Sequence, residues 1–157
     1  MAKRQYPYPS TNFAQQVNEV AEPALIALYS GEITASKAGV LIGTAKGSGV
    51  VKDVYLSIKG SGKDDSNTLS LTANVYINGT TCLTTAPVIA HVSGEAATNK
   101  TTVETGDTGI TQAVLSGSAK SYSPGDIFTC DWTLTRTASP TTEMQNAVLV
   151  VDPEPLR

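Results

Sequence analysis

Leu69-Ser-Leu-Thr-Ala-Asn-Val-Tyr-Ile-Asn78-Gly79 is the stretch on which the fold class turns. Leu69, Leu71, Ala73, Val75 and Ile77 share one parity; Ser70, Thr72, Asn74, Tyr76 and Asn78 share the other. An extended backbone sends successive side chains to opposite faces, so this stretch has one apolar and one polar side. Asn78-Gly79 supplies the two positive-φ positions of a type I′ turn, which returns the chain through Thr80-Thr81-Cys82-Leu83-Thr84. The pattern predicts a half-buried strand that opens a hairpin.

Downstream, Ser123-Pro124-Gly125-Asp126 has Pro at i+1 and Gly at i+2, the requirements of a type II turn. The strand behind it places Phe128, Cys130, Trp132 and Leu134 on one face and Thr129, Asp131, Thr133 and Thr135 on the other. Ala147-Val-Leu-Val-Val151 closes the chain as a nearly continuous apolar strand. Between hairpin and turn, Pro87-Val-Ile-Ala-His-Val92 and Ile110-Thr-Gln-Ala-Val-Leu115 read as strands, separated by a polar stretch over 93–109. Upstream, Lys52, Val54, Leu56 and Ile58 alternate with Val51, Asp53, Tyr55 and Ser57, and a loop without apolar residues, Gly60 to Asn67, follows. Ala24-Leu-Ile-Ala-Leu-Tyr29 is a further apolar run of strand length, broken by Ser30-Gly31, with short strands at Ile33–Ala35 and Val40–Ile42 behind it. Roughly seven or eight strands spaced by turn signals predict an all-β, antiparallel sandwich or jelly roll.

Residues 1–23 read differently. Tyr6-Pro-Tyr-Pro9 is expected to run as an extended arm, because each proline pushes its predecessor out of helical geometry. Asn12 can cap a short helix with Gln15 in the capping-box position, and Pro23 stops it near Glu22. Phe13, Val17 and Val20 form one narrow apolar stripe. A helix this short is marginal alone and is expected to order only against a partner surface. Lys3, Arg4, Tyr6, Tyr8, Phe13, Val17 and Val20 are therefore the candidate partner-binding residues. The candidate core is Leu71, Val75, Ile77, Phe128, Trp132 and Leu134.

Composition narrows the function classes. Roughly a fifth of the chain is Ser or Thr, above ordinary usage and suited to pleated, half-exposed surfaces. A net charge of −3 without a basic stripe argues against nucleic-acid binding. No apolar run reaches the roughly 18 residues of a membrane span, and nothing behind Lys3-Arg4 resembles a secretion signal, so a cytoplasmic origin is expected. In that compartment Cys82 and Cys130, which could pair only with each other, are expected to be buried thiols.

Chemistry-bearing patterns are sparse. His91 is the single histidine and has no Ser or Cys partner at a recognisable spacing, so no catalytic residue is expected. Asp64-Asp65, Asp107 and Asp126 match no defined Ca²⁺ loop and read as solvated turn residues. Two cysteines and one histidine are too few for zinc, so neither metal nor cofactor is expected. Gly43-Thr-Ala-Lys-Gly-Ser-Gly49 lacks the order of a phosphate loop. Trp132 has core parity, which leaves Tyr55 and Tyr76 as the exposed candidates for a sugar platform.

Three segments carry a family resemblance: Gly49-Val-Val-x-Asp-Val-Tyr55, Leu69 to Thr80 as quoted above, and Ser123-Pro-Gly-Asp-Ile-Phe-Thr-Cys-Asp-Trp132. In this order they resemble small jelly-roll virion proteins of tailed bacteriophages, including head decoration (cement) proteins, across roughly residues 24–151. The resemblance implies a jelly-roll-like sandwich over 24–157 behind an arm at 1–23. It also implies a non-enzymatic homotrimer on the outside of a phage head, bound to the major capsid protein. The alternative is a receptor- or carbohydrate-binding module of a tail or fibre. Such a module is ordinarily fused to other domains, whereas this chain begins with its own Met and an arm; the expectation is therefore the decoration subunit.

Overall fold

The structure is a computed structural model and describes residues 23–64, 66, 68–137 and 140–156. The arm, its expected helix and all seven candidate partner-binding residues lie outside the described residues. The strands are β1 (Leu25–Ile33), β2 (Lys37–Thr44), β3 (Gly49–Gly60), β4 (Ser70–Ile77), β5 (Thr80–Thr81), β6 (Leu83–Thr85) and β7 (Val88–Ala90). They continue with β8 (Lys100–Thr101), β9 (Ile110–Thr111), β10 (Val114–Leu115), β11 (Ser121–Tyr122), β12 (Ile127–Thr135) and β13 (Met144–Pro155). The described residues contain no helix.

All ladders are antiparallel. One sheet, A, has the order β1-β13-β3-β11, with β8 also on β3; the other, B, has the order β2-β12-β4-β7-β9, with β5 also on β4. The first strand thus lies beside the last and the second beside the second-last. Strands β3 and β4 flank β13 and β12 on their other sides. A chain doubled on itself and then rolled gives this order, so the antiparallel sandwich is jelly-roll-like.

The core fills the space between the sheets. Sheet A sends in Ala27, Tyr29, Leu56, Leu149 and Val151, and sheet B sends in Leu71, Val75, Ile77, Phe128 and Trp132, all buried. Leu134 packs half-buried at its margin. Two edge-to-face aromatic pairs join the sheets: Tyr29–Trp132 with centroids 6.0 Å apart, and Tyr122–Phe128 at 5.5 Å.

The hairpin forms where the sequence places it. Asn78 and Gly79 have φ of 49° and 81°, and Tyr76 and Ile77 pair with Thr81 and Thr80. The Pro-Gly turn also forms: Gly125 has φ 90°, and Asp126 N donates to Ser123 O at 3.1 Å.

Four expectations are corrected. Val51 is buried rather than on the polar parity, and Lys52 is exposed, because a bulge opposite Asp152/Pro153 inserts a residue into β3 and flips the alternation. Ser30-Gly31 does not end β1; a register shift between Tyr29 and Glu32, with Gly31 at φ 77°, absorbs the break and the strand runs on to Ile33. The stretch 110–115 is two strands rather than one, β9 pairing with β7 in sheet B and β10 with β6 in a separate ladder. Finally, the polar stretch 93–109 contains β8 and is folded around a buried cation described below.

Candidate interaction face

The two outer faces of the sandwich differ in chemistry. On sheet B, the register sets Thr72 opposite Thr133, Asn74 opposite Asp131 and Tyr76 opposite Thr129. This face is polar and internally bonded: Thr81 Oγ1 donates to Asn74 Oδ1 at 2.7 Å, and Asn74 Nδ2 to Tyr76 Oη at 3.0 Å. Leu41, beside Thr129, and Ile127, at the start of β12, are its large exposed apolar side chains among the described residues. Burial and a bond to Asp131 raise the Tyr76 hydroxyl above the usual phenol range, the Asn74 contact opposing them.

On sheet A the same alternation leaves apolar rows outside. Ile26 lies opposite Val150, and Val150 opposite Tyr55; Leu28 lies opposite Val148, and Val148 opposite Ser57. Directly opposed side chains on one face of a sheet touch, so these residues form a continuous surface across β1, β13 and β3. Ile26 is 54% and Leu28 63% exposed, while Val150 is 9% exposed without joining the core. The large exposed apolar side chains of this face, Ile26 and Leu28, are both on β1, and Val148 and Tyr55 continue it as partly buried residues. The face ends at one side on the opposed pair Asp53 and Asp152. At the other it ends on a shallow groove lined by Ser57, Lys59, Thr101, Asp107, Asn146 and Val148. Strand β1 is the free edge of sheet A and is entered directly from Pro23 and Ala24.

The two turn motifs, read separately in the sequence, are brought together. Asn78 Nδ2 donates to Asp126 Oδ1 at 2.7 Å, Ile127 N donates to Asn78 Oδ1 at 2.9 Å, and Ser123 N donates to Asp126 Oδ2 at 2.7 Å. Asp126 is thus a lock between turns rather than a solvated residue, and both side-chain amide atoms of Asn78 are in use.

Asp64 is likewise buried, not solvated; Asp65 lies outside the described residues. Ser66 N and Oγ donate to Asp64 Oδ1 at 2.9 and 2.8 Å, and Thr68 N and Oγ1 to Oδ2 at 3.1 and 2.8 Å. The Ser66 backbone N–H, first among these donors, holds the carboxyl far below its ordinary value of 3.8, against the opposing effect of burial. The unfolded chain therefore takes up a proton near pH 3.8 that the folded chain refuses. This contribution to stability is fully present above that pH and is lost as pH falls toward the folded value. Asp64→Asn is expected to lower stability at pH 7 and to flatten its decline between about pH 4 and pH 2. Urea unfolding of both proteins across that range measures it; parallel pH dependences would refute it.

Lys100 had no signal in the sequence beyond being a lysine in a polar stretch, yet it is 5% exposed. Its Nζ pairs with Glu95 Oε2 at 2.5 Å and donates to the carbonyls of Thr108 at 2.8 Å and Ala90 at 3.1 Å. All three ammonium protons are occupied, which ties the 93–109 segment, paired through β8 to β3, to β7 of the other sheet.

His91 is buried, and its Nδ1 has no hydrogen-bond partner among the described residues. Among those residues no group of three or more His, Cys, Asp or Glu side chains is placed to hold a metal ion. Tyr55 and Tyr76 lie on the outer faces of different sheets, so they do not form one sugar platform. Cys82 and Cys130 are free and buried, with their thiols pushed up to about 11 and about 12, chiefly by burial. Cys130 pairs across from Val75 on one side of β4, while Cys82 N bonds Val75 O from the other side. Two strand spacings, about 9–10 Å, exceed the reach of a disulfide.

Comparisons with protein-family models, with curated proteins and with solved structures found no match.

Proposed function

We propose that the protein is a non-enzymatic virion structural subunit: a capsid decoration (cement) protein, acting as a homotrimer. It binds the major capsid protein on the outside of an assembled phage head and bridges neighbouring subunits through its N-terminal arm. The inequality of the two outer faces carries this reading. Sheet B presents a mostly hydrogen-bonded polar surface with Leu41 and Ile127 apart on it, whereas sheet A sets Ile26 and Leu28 in one row system with the partly buried Val148 and Tyr55, beside the strand that the arm enters. A subunit that sits on a large preformed surface needs one such contact side and no chemistry. The jelly-roll order agrees with the resemblance in the three quoted segments.

Binding to purified shells that lack the protein tests the proposal. A chain lacking residues 2–22 is expected to keep its β-type far-UV circular dichroism and to lose most shell binding, and Phe13→Ala with Val17→Ala to reproduce part of that loss. If the shortened chain sediments with shells as well as the full one, the arm is not the clamp and the bridging role is withdrawn.

A further inference from the structure

Asn78-Gly79 is the one Asn-Gly pair in the chain, and it sits exposed at the tip of the β4–β5 hairpin. Glycine leaves its own nitrogen uncrowded, so in such a pair the backbone amide readily attacks the side chain before it. Gly79 faces open space, since a Cβ at its position would meet nothing within 4 Å. Against this, both amide atoms of Asn78 are held. Its Nδ2 donates to Asp126 Oδ1 at 2.7 Å, and its Oδ1 accepts from Ile127 N at 2.9 Å. Asp126 is anchored in turn: Ser123 N donates to its Oδ2 at 2.7 Å, and Ala45 N to its backbone O at 2.8 Å. Attack at a carbonyl carbon needs a particular approach and alignment. An amide fixed at both ends cannot swing to meet it without giving up those bonds.

We propose that Asn78 is a covalent modification site, deamidated through a cyclic imide, and that Asp126 is the latch that sets the rate. Gly79 N forms a bond to Asn78 Cγ, the Cγ–Nδ2 bond breaks, and Nδ2 leaves as ammonia with the proton from Gly79 N. Water then adds to either carbonyl carbon of the imide, and that carbon's bond to the ring nitrogen breaks as the nitrogen regains a proton. The product is aspartate or, with the main chain rerouted through Cγ, isoaspartate. One water is consumed and one ammonia released. Either product breaks the tie between the turns. The aspartate side chain has no proton to donate to Asp126 Oδ1, so two carboxylates face each other across a hydrogen-bond distance and repel. Isoaspartate adds a backbone carbon to a two-residue turn whose geometry has no room for it. The latch thus slows a reaction whose product removes the latch, and the joint between the hairpin and the Pro-Gly turn opens irreversibly.

Peptide mapping by mass spectrometry, on the full chain aged at mildly alkaline pH, reads the amide-to-acid conversion at Asn78. The folded chain is expected to convert at least about tenfold more slowly than the same chain in urea, because a hydrogen bond to a charged group must break first. Asp126→Ala is expected to raise the folded rate at least about threefold, since only the Ile127 bond then holds the amide. Conversion of the folded chain at the urea rate would overturn the proposal, and so would an Asp126→Ala rate equal to that of the unsubstituted chain. A stability cycle tests the consequence and stands even if the alanine variant does not fold. Asn78→Asp, the direct product, is expected to lower the urea midpoint. Asn78→Asp combined with Asp126→Asn is expected to recover it, because the new amide donates to the new carboxylate and still accepts from Ser123 N. A double variant no more stable than Asn78→Asp alone would overturn the opening of the joint by charge.

Discussion

Trp132→Ala is expected to destabilise the domain by about 3–5 kcal/mol, the range for removing a large buried aromatic side chain. Trp132 is 1% exposed, sits on β12 of sheet B and meets Tyr29 of sheet A edge to face at 6.0 Å. Its removal would leave a cavity between the sheets. The indole Nε1 is buried without a hydrogen-bond partner among the described residues. A buried donor of this kind already costs about 1–3 kcal/mol. Trp132→Phe keeps much of the apolar area and removes that donor, so its loss should be far smaller than that of the alanine variant. Chemical denaturation of the three proteins measures the order. Trp132 is also the single tryptophan, so blue-shifted emission resistant to soluble quenchers should report its burial directly. A phenylalanine variant as unstable as the alanine variant would mean that the Nε1 is satisfied in solution.

The parts of this fold visible in the sequence are those governed by neighbouring residues. Strict alternation over 69–78 and 127–135 fixes which side chains face inward, and Asn78-Gly79 and Pro124-Gly125 fix their turns through positive φ. What stays hidden depends on residues far apart in the chain. The bulge in β3 shifts Val51 inward with no local sign, because it is defined only by the register against Asp152 and Pro153. Burial of Lys100 depends on backbone carbonyls at Ala90 and Thr108, groups that every residue carries and no pattern reveals. The link from Asn78 to Asp126 joins turns 48 residues apart. The candidate interaction face is the clearest instance. Ile26 and Leu28 sit in an apolar run that gives no hint of an outer side, and the surface exists only once β13 and β3 are laid next to β1.

Gly62→Ala should destabilise the domain by about 2–5 kcal/mol, the sum of about 1–2 for a side chain held in left-handed geometry and about 1–3 for overpacking. Gly62 has φ 71°, and it lies where the β3–β4 loop is pinned to the segment before β13. Lys63 N donates to Thr142 O at 2.8 Å, and Thr142 N returns a bond to Lys63 O at 3.1 Å. A Cβ at position 62 would run into Leu69 Cδ2 and would lie 2.9 Å from Thr142 O and 3.1 Å from Met144 N. Leu69 is fully buried, and the other two atoms are backbone, so nothing nearby can yield cheaply. The hairpin glycine separates the two costs. Gly79 has φ 81° with nothing within 4 Å of the position its Cβ would take. Gly79→Ala therefore meets only the conformational cost, about 1–2 kcal/mol. Denaturant midpoints for the two variants should differ by the packing contribution, with Gly62→Ala the weaker protein. Equal losses would show that the loop relaxes away from Leu69 and that its two-bond attachment to Thr142 is looser than its geometry implies.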